Sequence, residues 1–127
     1  MYARPMPPVY YGDVSAAVIL PVFRVLKFPV RVRDISISVD TDFPVSASDY
    51  FIIDIVRVDI NNTIEWSSNR FYLNSDGLKA YDWKLLLADT GMRANVFYGL
   101  RLTVGAGSPT LSGLASCCTV EGRFDDE

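Results

Sequence analysis

The chain has 127 residues, half of them apolar or aromatic, with 15 acidic against 12 basic side chains and a formal charge of −3. That is enough for one domain with a real core, too apolar for a disordered chain, and without the basic footprint of a nucleic-acid-binding protein. Histidine is absent, which removes the commonest general base, the usual partner of a catalytic Ser or Cys, and the commonest transition-metal ligand.

Residues 1–13 carry Pro5, Pro7 and Pro8, which lack backbone donors and favour an extended path. They are expected to form an arm outside any sheet. Its Tyr2, Arg4, Met6, Val9, Tyr10 and Tyr11 offer aromatic and apolar surface suited to docking on a partner. The prolines also interrupt any secretory h-region. The apolar stretch Ala16 to Val32 is broken by Pro21, Arg24, Lys27, Pro29 and Arg31, short of the roughly 18 residues that cross a bilayer. A soluble chain, not exported by a signal peptide, is expected.

From Val14 to Phe28 the composition is that of strands, and Pro21 restricts it to an edge strand or to two short strands with a kink. Val30 to Arg33 alternates apolar with charged, and Ile35 to Val39 alternates with the opposite parity. An extra residue near Arg33-Asp34 must shift the register, as a β-bulge or a break between strands. The basic run of Arg24, Lys27, Arg31 and Arg33 reads as a solvated strand face. Asp40 to Asp49 is a loop.

Tyr50 to Trp66 reads as a central hairpin turning at Asn61-Asn62, since Asn tolerates positive φ. Ile52, Val56 and Val58 share one strand face, interrupted by Asp54, and are expected to look into the core. Phe51, Ile53 and Ile55 make the other face apolar before Arg57 and Asp59. Arg70 to Leu73 is a short strand and Asn74 to Gly77 a turn. Leu78 to Leu87 is ambiguous: Leu78, Tyr81 and Leu85 fit a helical stripe, while its length and neighbours suit a strand, the reading that is somewhat favoured. Leu100 to Val104 alternates again, Gly105 to Pro109 is a turn, and Leu111 to Phe124 is a last strand open to a break at Gly113. Residues 125–127 form an acidic, disordered tail. Seven or eight short strands without a βαβ pattern indicate an all-β, antiparallel β-sandwich over residues 14–124, most simply a jelly roll.

Candidate chemistry is sparse. Gly105-Ala106-Gly107 lacks the Gly-Lys-Ser/Thr of a phosphate loop, and Asp40, Asp42 and Asp49 lack the spacing and glycine of a calcium loop. Asp54 must find donors if it is buried, with Arg101 as the candidate partner in a structural pair. Asn61-Asn62-Thr63 matches a glycosylation acceptor and indicates an exposed turn. Trp66, Tyr72, Tyr81 and Trp83 could form a sugar-stacking platform, or serve core and interface roles. Cys117 and Cys118 are adjacent, so in a strand they point to opposite faces and read as two reduced thiols, as in a reducing cytoplasm. No catalytic, cofactor-binding or metal site is assigned.

The order of Phe28-Pro29, the strand Val32 to Val39, a Pro/Ser loop, the strand Ile52 to Val58, the Asn-Asn turn and Gly99-Leu100-Arg101-Leu102-Thr103-Val104 resembles small jelly-roll proteins of tailed bacteriophage virions. The resemblance covers most of Val14 to Phe124. It implies a non-enzymatic structural protein of the virion, assembled in the host cytoplasm, that binds the major capsid protein or other virion proteins. Capsid decoration (cement) is the first expectation and a tail or fibre module binding host-surface glycans the alternative. It also implies a homo-oligomer, often a trimer, with no cofactor, nucleic acid or membrane.

Overall fold

β-branched and aromatic residues at alternating positions favour pleated, half-buried surfaces, and the computed structural model places them, among the described residues, in ten strands. These are β1 (Tyr2–Pro5), β2 (Val9–Val14), β3 (Val18–Val25), β4 (Val30–Ser38), β5 (Tyr50–Val58), β6 (Ile64–Ser67), β7 (Phe71–Tyr72), β8 (Lys84–Ala88), β9 (Val96–Ala106) and β10 (Leu111–Gly122). The structure describes residues 2–25, 27, 29–73, 77–88, 91, 93–107 and 109–122, with the side chains of Tyr2, Leu87 and Ala88 left aside. The predicted acidic tail at 125–127 lies outside them.

Two antiparallel sheets pack face to face. The first runs β1/β2, β10, β4, β8, and the second β3, β9, β5, β6/β7. β1 and β2 share one position, since β1 pairs with Thr119 to Gly122 and β2 with Leu111 to Ser116 along the same strand. β6 and β7 likewise share the edge of β5. Counted this way there are eight positions. The first pairs with the last, the second (β3) with the seventh (β9), the third (β4) with the sixth (β8), and the two central ones with each other.

The core fills the space between the sheets. Val32, Ile35, Ile37, Leu114 and Val120 come from the first sheet, and Phe51, Ile53, Ile55, Tyr98, Leu100 and Leu102 from the second. Each such side chain stabilises by about 1.5–3 kcal/mol relative to exposure.

Several expectations hold. β3 is an edge strand containing Pro21, with a register shift between Pro21 and Phe23. In β4 the partners step from Val32 to Asp34 between Val120 and Thr119, so Arg33 is the extra residue of a bulge. Asn62 turns the β5–β6 hairpin at φ 62°, and Asp59 Oδ1 accepts the Asn61 and Thr63 N–H groups (2.9 Å each). Gly113, at φ 62°, distorts β10 without ending it.

Two expectations are corrected and one ambiguity is resolved. The first 13 residues are not an unpaired arm: residues 2–5 and 9–14 cover the outer edge of β10, and the Met6 N–H donates to the Cys118 carbonyl (2.9 Å) between them. The prolines are tolerated because Pro5 closes β1 and Pro7-Pro8 fall between the paired segments, where a donor is not required. Leu78 to Leu87 contains no helix. Phe43 and Leu78 exchange two backbone hydrogen bonds (2.7 and 2.8 Å), Tyr81 takes φ 65°, and β8 follows. In β5 the inward positions are the odd ones, Phe51, Ile53 and Ile55, which face Val104, Leu102 and Leu100 of β9. Ile52, Val56 and Val58 lie on the other face of the second sheet, outside the cluster between the sheets, where Val56 and Val58 are nonetheless buried and Ile52 is half-buried. Both faces of β5 are apolar, so alternation alone could not choose between them.

Candidate functional site

Two surfaces of the sandwich carry candidate residues. The first is the edge formed by β1 and β2. Tyr10 pairs with Ala115 and its side chain is 71% exposed, while Val9 beside it lies open at the surface. Arg4 is half-buried and Met6 packs against the core. Tyr11 turns inward, where its hydroxyl donates to the Pro21 carbonyl (2.5 Å) and lies 2.7 Å from Ser116 Oγ. It ties the edge of the first sheet to the edge of the second. Burial raises its pKa, an effect the Ser116 hydrogen bond partly offsets. Of the six residues expected to dock on a partner, Tyr10 and Val9 remain on the surface, Met6 and Tyr11 are recruited into the domain, and the Tyr2 side chain is not described.

The second surface is the outer face of the second sheet, and its centre is an ion pair. Asp54 and Arg101 sit opposite each other on β5 and β9. The guanidinium grips the carboxylate at two points, Nε to Oδ1 (2.9 Å) and Nη2 to Oδ2 (2.5 Å), as the sequence suggested. Asp54 is 2% exposed. The hydrogen bond to Asp54 raises the Arg101 pKa further above its ordinary value. Around the pair the register places Ile19, Pro21 and Arg24 on β3, Phe97, Gly99 and Thr103 on β9, Ile52, Val56 and Val58 on β5, Ile64 and Ser67 on β6 and Tyr72 on β7, an apolar centre with polar residues at its margins. Ile19 and Ile64 are each 40% exposed and Tyr72 46%.

The opposite outer face, on the first sheet, is wet. Arg31 bonds Glu121 (2.7 Å), Arg33 approaches the same carboxylate (3.6 Å), and Asp34, Ser36, Ser38 and Thr119 share the surface. Exposed pairs of this kind contribute about 0–1 kcal/mol and keep the face solvated. The apolar face was missed in the sequence because its β5 residues were assigned to the core. The available signal was that both parities of β5 are apolar, so one set had to lie outside.

The remaining candidates do not assemble. Trp66 and Tyr72 lie on opposite faces of the sheet, since their partners on β5 are Arg57 and Ile52. The Arg57 guanidinium sits 5.4 Å from the Trp66 ring centre and its Nε bonds Glu65 (2.6 Å). Tyr81 and Trp83 are exposed ahead of β8. Asp42 accepts the Ala80 N–H (2.8 Å) and Asp40 the Thr41 hydroxyl (3.1 Å). Among the described residues no three acidic or cysteine side chains are grouped to hold a metal ion, and no helix is long and apolar enough to cross a membrane. Both cysteines are free thiols, Cys117 half-buried and Cys118 buried. Burial pushes the Cys118 pKa up to about 12, with Cys117 and Asp34 adding to the shift.

Comparison with known proteins leaves this geometry to stand by itself: no family model matches the chain, and no curated protein or solved structure matches it.

Proposed function

We propose that this chain is a non-enzymatic structural protein of a tailed-phage virion, a capsid decoration protein that docks on the assembled shell through its N-terminal edge. The observation that carries the reading is the pairing order, first strand position with last and so on to the centre. It supports a jelly roll, an architecture that viral capsid and lectin domains use. The shell partner is the major capsid protein. Tyr10 supplies the anchor, an amphipathic ring on a strand edge that leaves its outer backbone groups available for pairing.

Decoration means binding the assembled shell in preference to free subunits, which stabilises the shell by linkage. The test is to add the full chain, and a Tyr10→Glu variant, to shells stripped of it and to count copies by quantitative mass spectrometry. Near-saturating occupancy is expected for the full chain and an occupancy at least tenfold lower for the variant, with the two melting alike. Equal occupancy of both removes the N-terminal edge from the contact.

A second reading, a fibre module that binds host-surface glycans, is favoured by the exposed Tyr81 and Trp83. Saccharide-induced quenching of fluorescence that is lost in Trp83→Ala would support it.

A further inference from the structure

We infer that the pocket at the end of the second sheet, between the start of β9 and the β5–β6 turn, binds one neutral sugar ring. The site uses neither Tyr10, on which the shell-docking reading rests, nor Trp83, on which the second reading rests, so it stands or falls apart from both.

The pocket follows from the register. Arg24 lies opposite Phe97 across β3 and β9, and Phe97 opposite Val58 across β9 and β5, so the three residues form one row on the outer side of the sheet. Beyond that row β5 ends and turns through Asp59, Ile60 and Asn62, while Asn95 leads into β9. The space they border measures about 220 Å³. At about 30 Å³ per water that is room for about seven waters. It suffices for a single sugar ring and falls below the ~300–1,000 Å³ of sites that take drug-sized ligands.

The lining is of two kinds. Val25, Val58 and Val96 are buried and Phe97 is half-buried beside them, which makes one side apolar. The rim carries Arg24, Asp59, Asn62 and Asn95. Asp59 Oδ1 accepts the Asn61 and Thr63 N–H groups (2.9 Å each), so the turn is set before a ligand arrives and little ordering cost remains. Asp59 Oδ2 and the side chains of Arg24, Asn62 and Asn95 make no hydrogen bond or ion pair with another described residue, and so are open to a ligand.

Asn62 and Asn95 argue most for binding. Both hold the left-handed backbone, at φ 62° and 58°, a conformation that Asn tolerates and that glycine adopts at no steric cost. The backbone accounts for an Asn or a glycine at each place. It does not account for an amide at both, on two separate turns that line one pocket. An amide supplies donors and an acceptor together, the pattern that a pair of neighbouring hydroxyl groups matches.

Charge selects the ligand class. A free anion would meet Asp59, and a free cation Arg24, on the same rim. A neutral ring of hydroxyl groups satisfies both, since each hydroxyl donates one hydrogen bond and accepts up to two, while its C–H face lies against Phe97 and the valines. A zwitterionic amino acid matches the two charges but gives the two amides fewer partners.

The experiment is a titration of the full ¹⁵N-labelled chain, followed through its backbone and side-chain amide signals, with glucose, galactose, N-acetylglucosamine, sodium phosphate and L-alanine in turn. Expected is a dissociation constant on the order of 1 mM for at least one of the three sugars, with the largest shifts at Asn62, Asn95 and Phe97. Asn62→Gly and Asn95→Gly keep the positive φ, and each should weaken that sugar roughly three- to tenfold, the scale of one lost hydrogen bond. Arg24→Gln, on an exposed side chain, should weaken it by a similar factor and tests the same rim if a glycine variant fails to fold, which circular dichroism reports. No shift at these residues with any of the three sugars up to about 50 mM overturns the inference. So does a response to phosphate or L-alanine alone, which marks a site for an anion or an amino acid. Sugar shifts confined to Tyr81 and Trp83, or a sugar affinity indifferent to all three substitutions, overturn it as well, the former in favour of the second reading above.

Discussion

Asp54 is a charge placed where an apolar residue would otherwise stand, and it is tolerated because Arg101 meets it with two hydrogen bonds. Such a pair need not stabilise the fold relative to two apolar residues, but removing one partner strands the other. Arg101→Met is therefore expected to cost about 3–5 kcal/mol in urea unfolding, and Asp54→Val combined with Arg101→Met to recover most of that loss. A double variant no better than the single would show that the pair is not the reason for the cost. The thiols divide in the same local way. Cys118 titrates near 12 in the fold against an ordinary value of 9.0. A folded pKa raised above the unfolded one gives stability that is complete below about 9 and lost as the pH rises toward 12. The urea midpoint should fall over that window, and fall less steeply in Cys118→Ala. At pH 8 a thiol reagent should modify Cys117 in the native protein and Cys118 only after unfolding.

At the scale of the strand, β4 shows why a single residue can be surplus. Arg33 is the bulged residue, and Val30 and Val32 before it and Ile35 and Ile37 after it all point inward. Deleting Arg33 restores simple alternation and keeps all four apolar side chains on the core face, so the variant should fold with a loss of about 1 kcal/mol, the typical scale for a point change. Deleting Ser36 instead turns the residues on one side of it to the other face, and should leave the chain unfolded. Thermal melts of the two deletions check this, and comparable melting of both would mean that the bulge does not set the register. The strand formed by β1 and β2 depends on longer-range contacts. Tyr11 and Ser116, 105 positions apart, are joined by a hydrogen bond, so removing residues 1–11 takes away a tie between the sheets as well as the edge proposed above for docking.

Across the whole molecule, the first and last strands meet, β1 against the end of β10 and β2 against its beginning. Nearly every pairing except the central hairpin is distant in sequence, and such topologies fold in milliseconds to seconds because loop closure precedes the contacts that reward it. The core is continuous across both sheets, so a charge at its centre should be felt everywhere. Ile53→Asp, at a fully buried position, is expected to cost several kcal/mol, the scale of an unpaired buried charge. It should abolish the cooperative melt seen by circular dichroism. A soluble variant with unchanged melting would remove Ile53 from the core.

What the sequence determined by itself was local. Alternation, turn chemistry and the absence of a recurring βαβ pattern made the chain a β-sandwich, and the change of parity at Arg33 located the bulge. Pro21 marked an edge strand, Asn61-Asn62 a turn, and a lone carboxylate on an apolar strand required a partner that Arg101 supplied. What only the tertiary structure decided was which face of a two-sided strand looks inward, because Phe51, Ile53, Ile55 and Ile52, Val56, Val58 are equally apolar and the facing sheet chooses between them. It likewise decided the fate of residues 2–14, whose strand partners lie about a hundred residues away on β10. Prolines at the start of the chain read as an unpaired arm because their neighbours in sequence offer no edge to pair with, and the edge exists only once the sheet has closed.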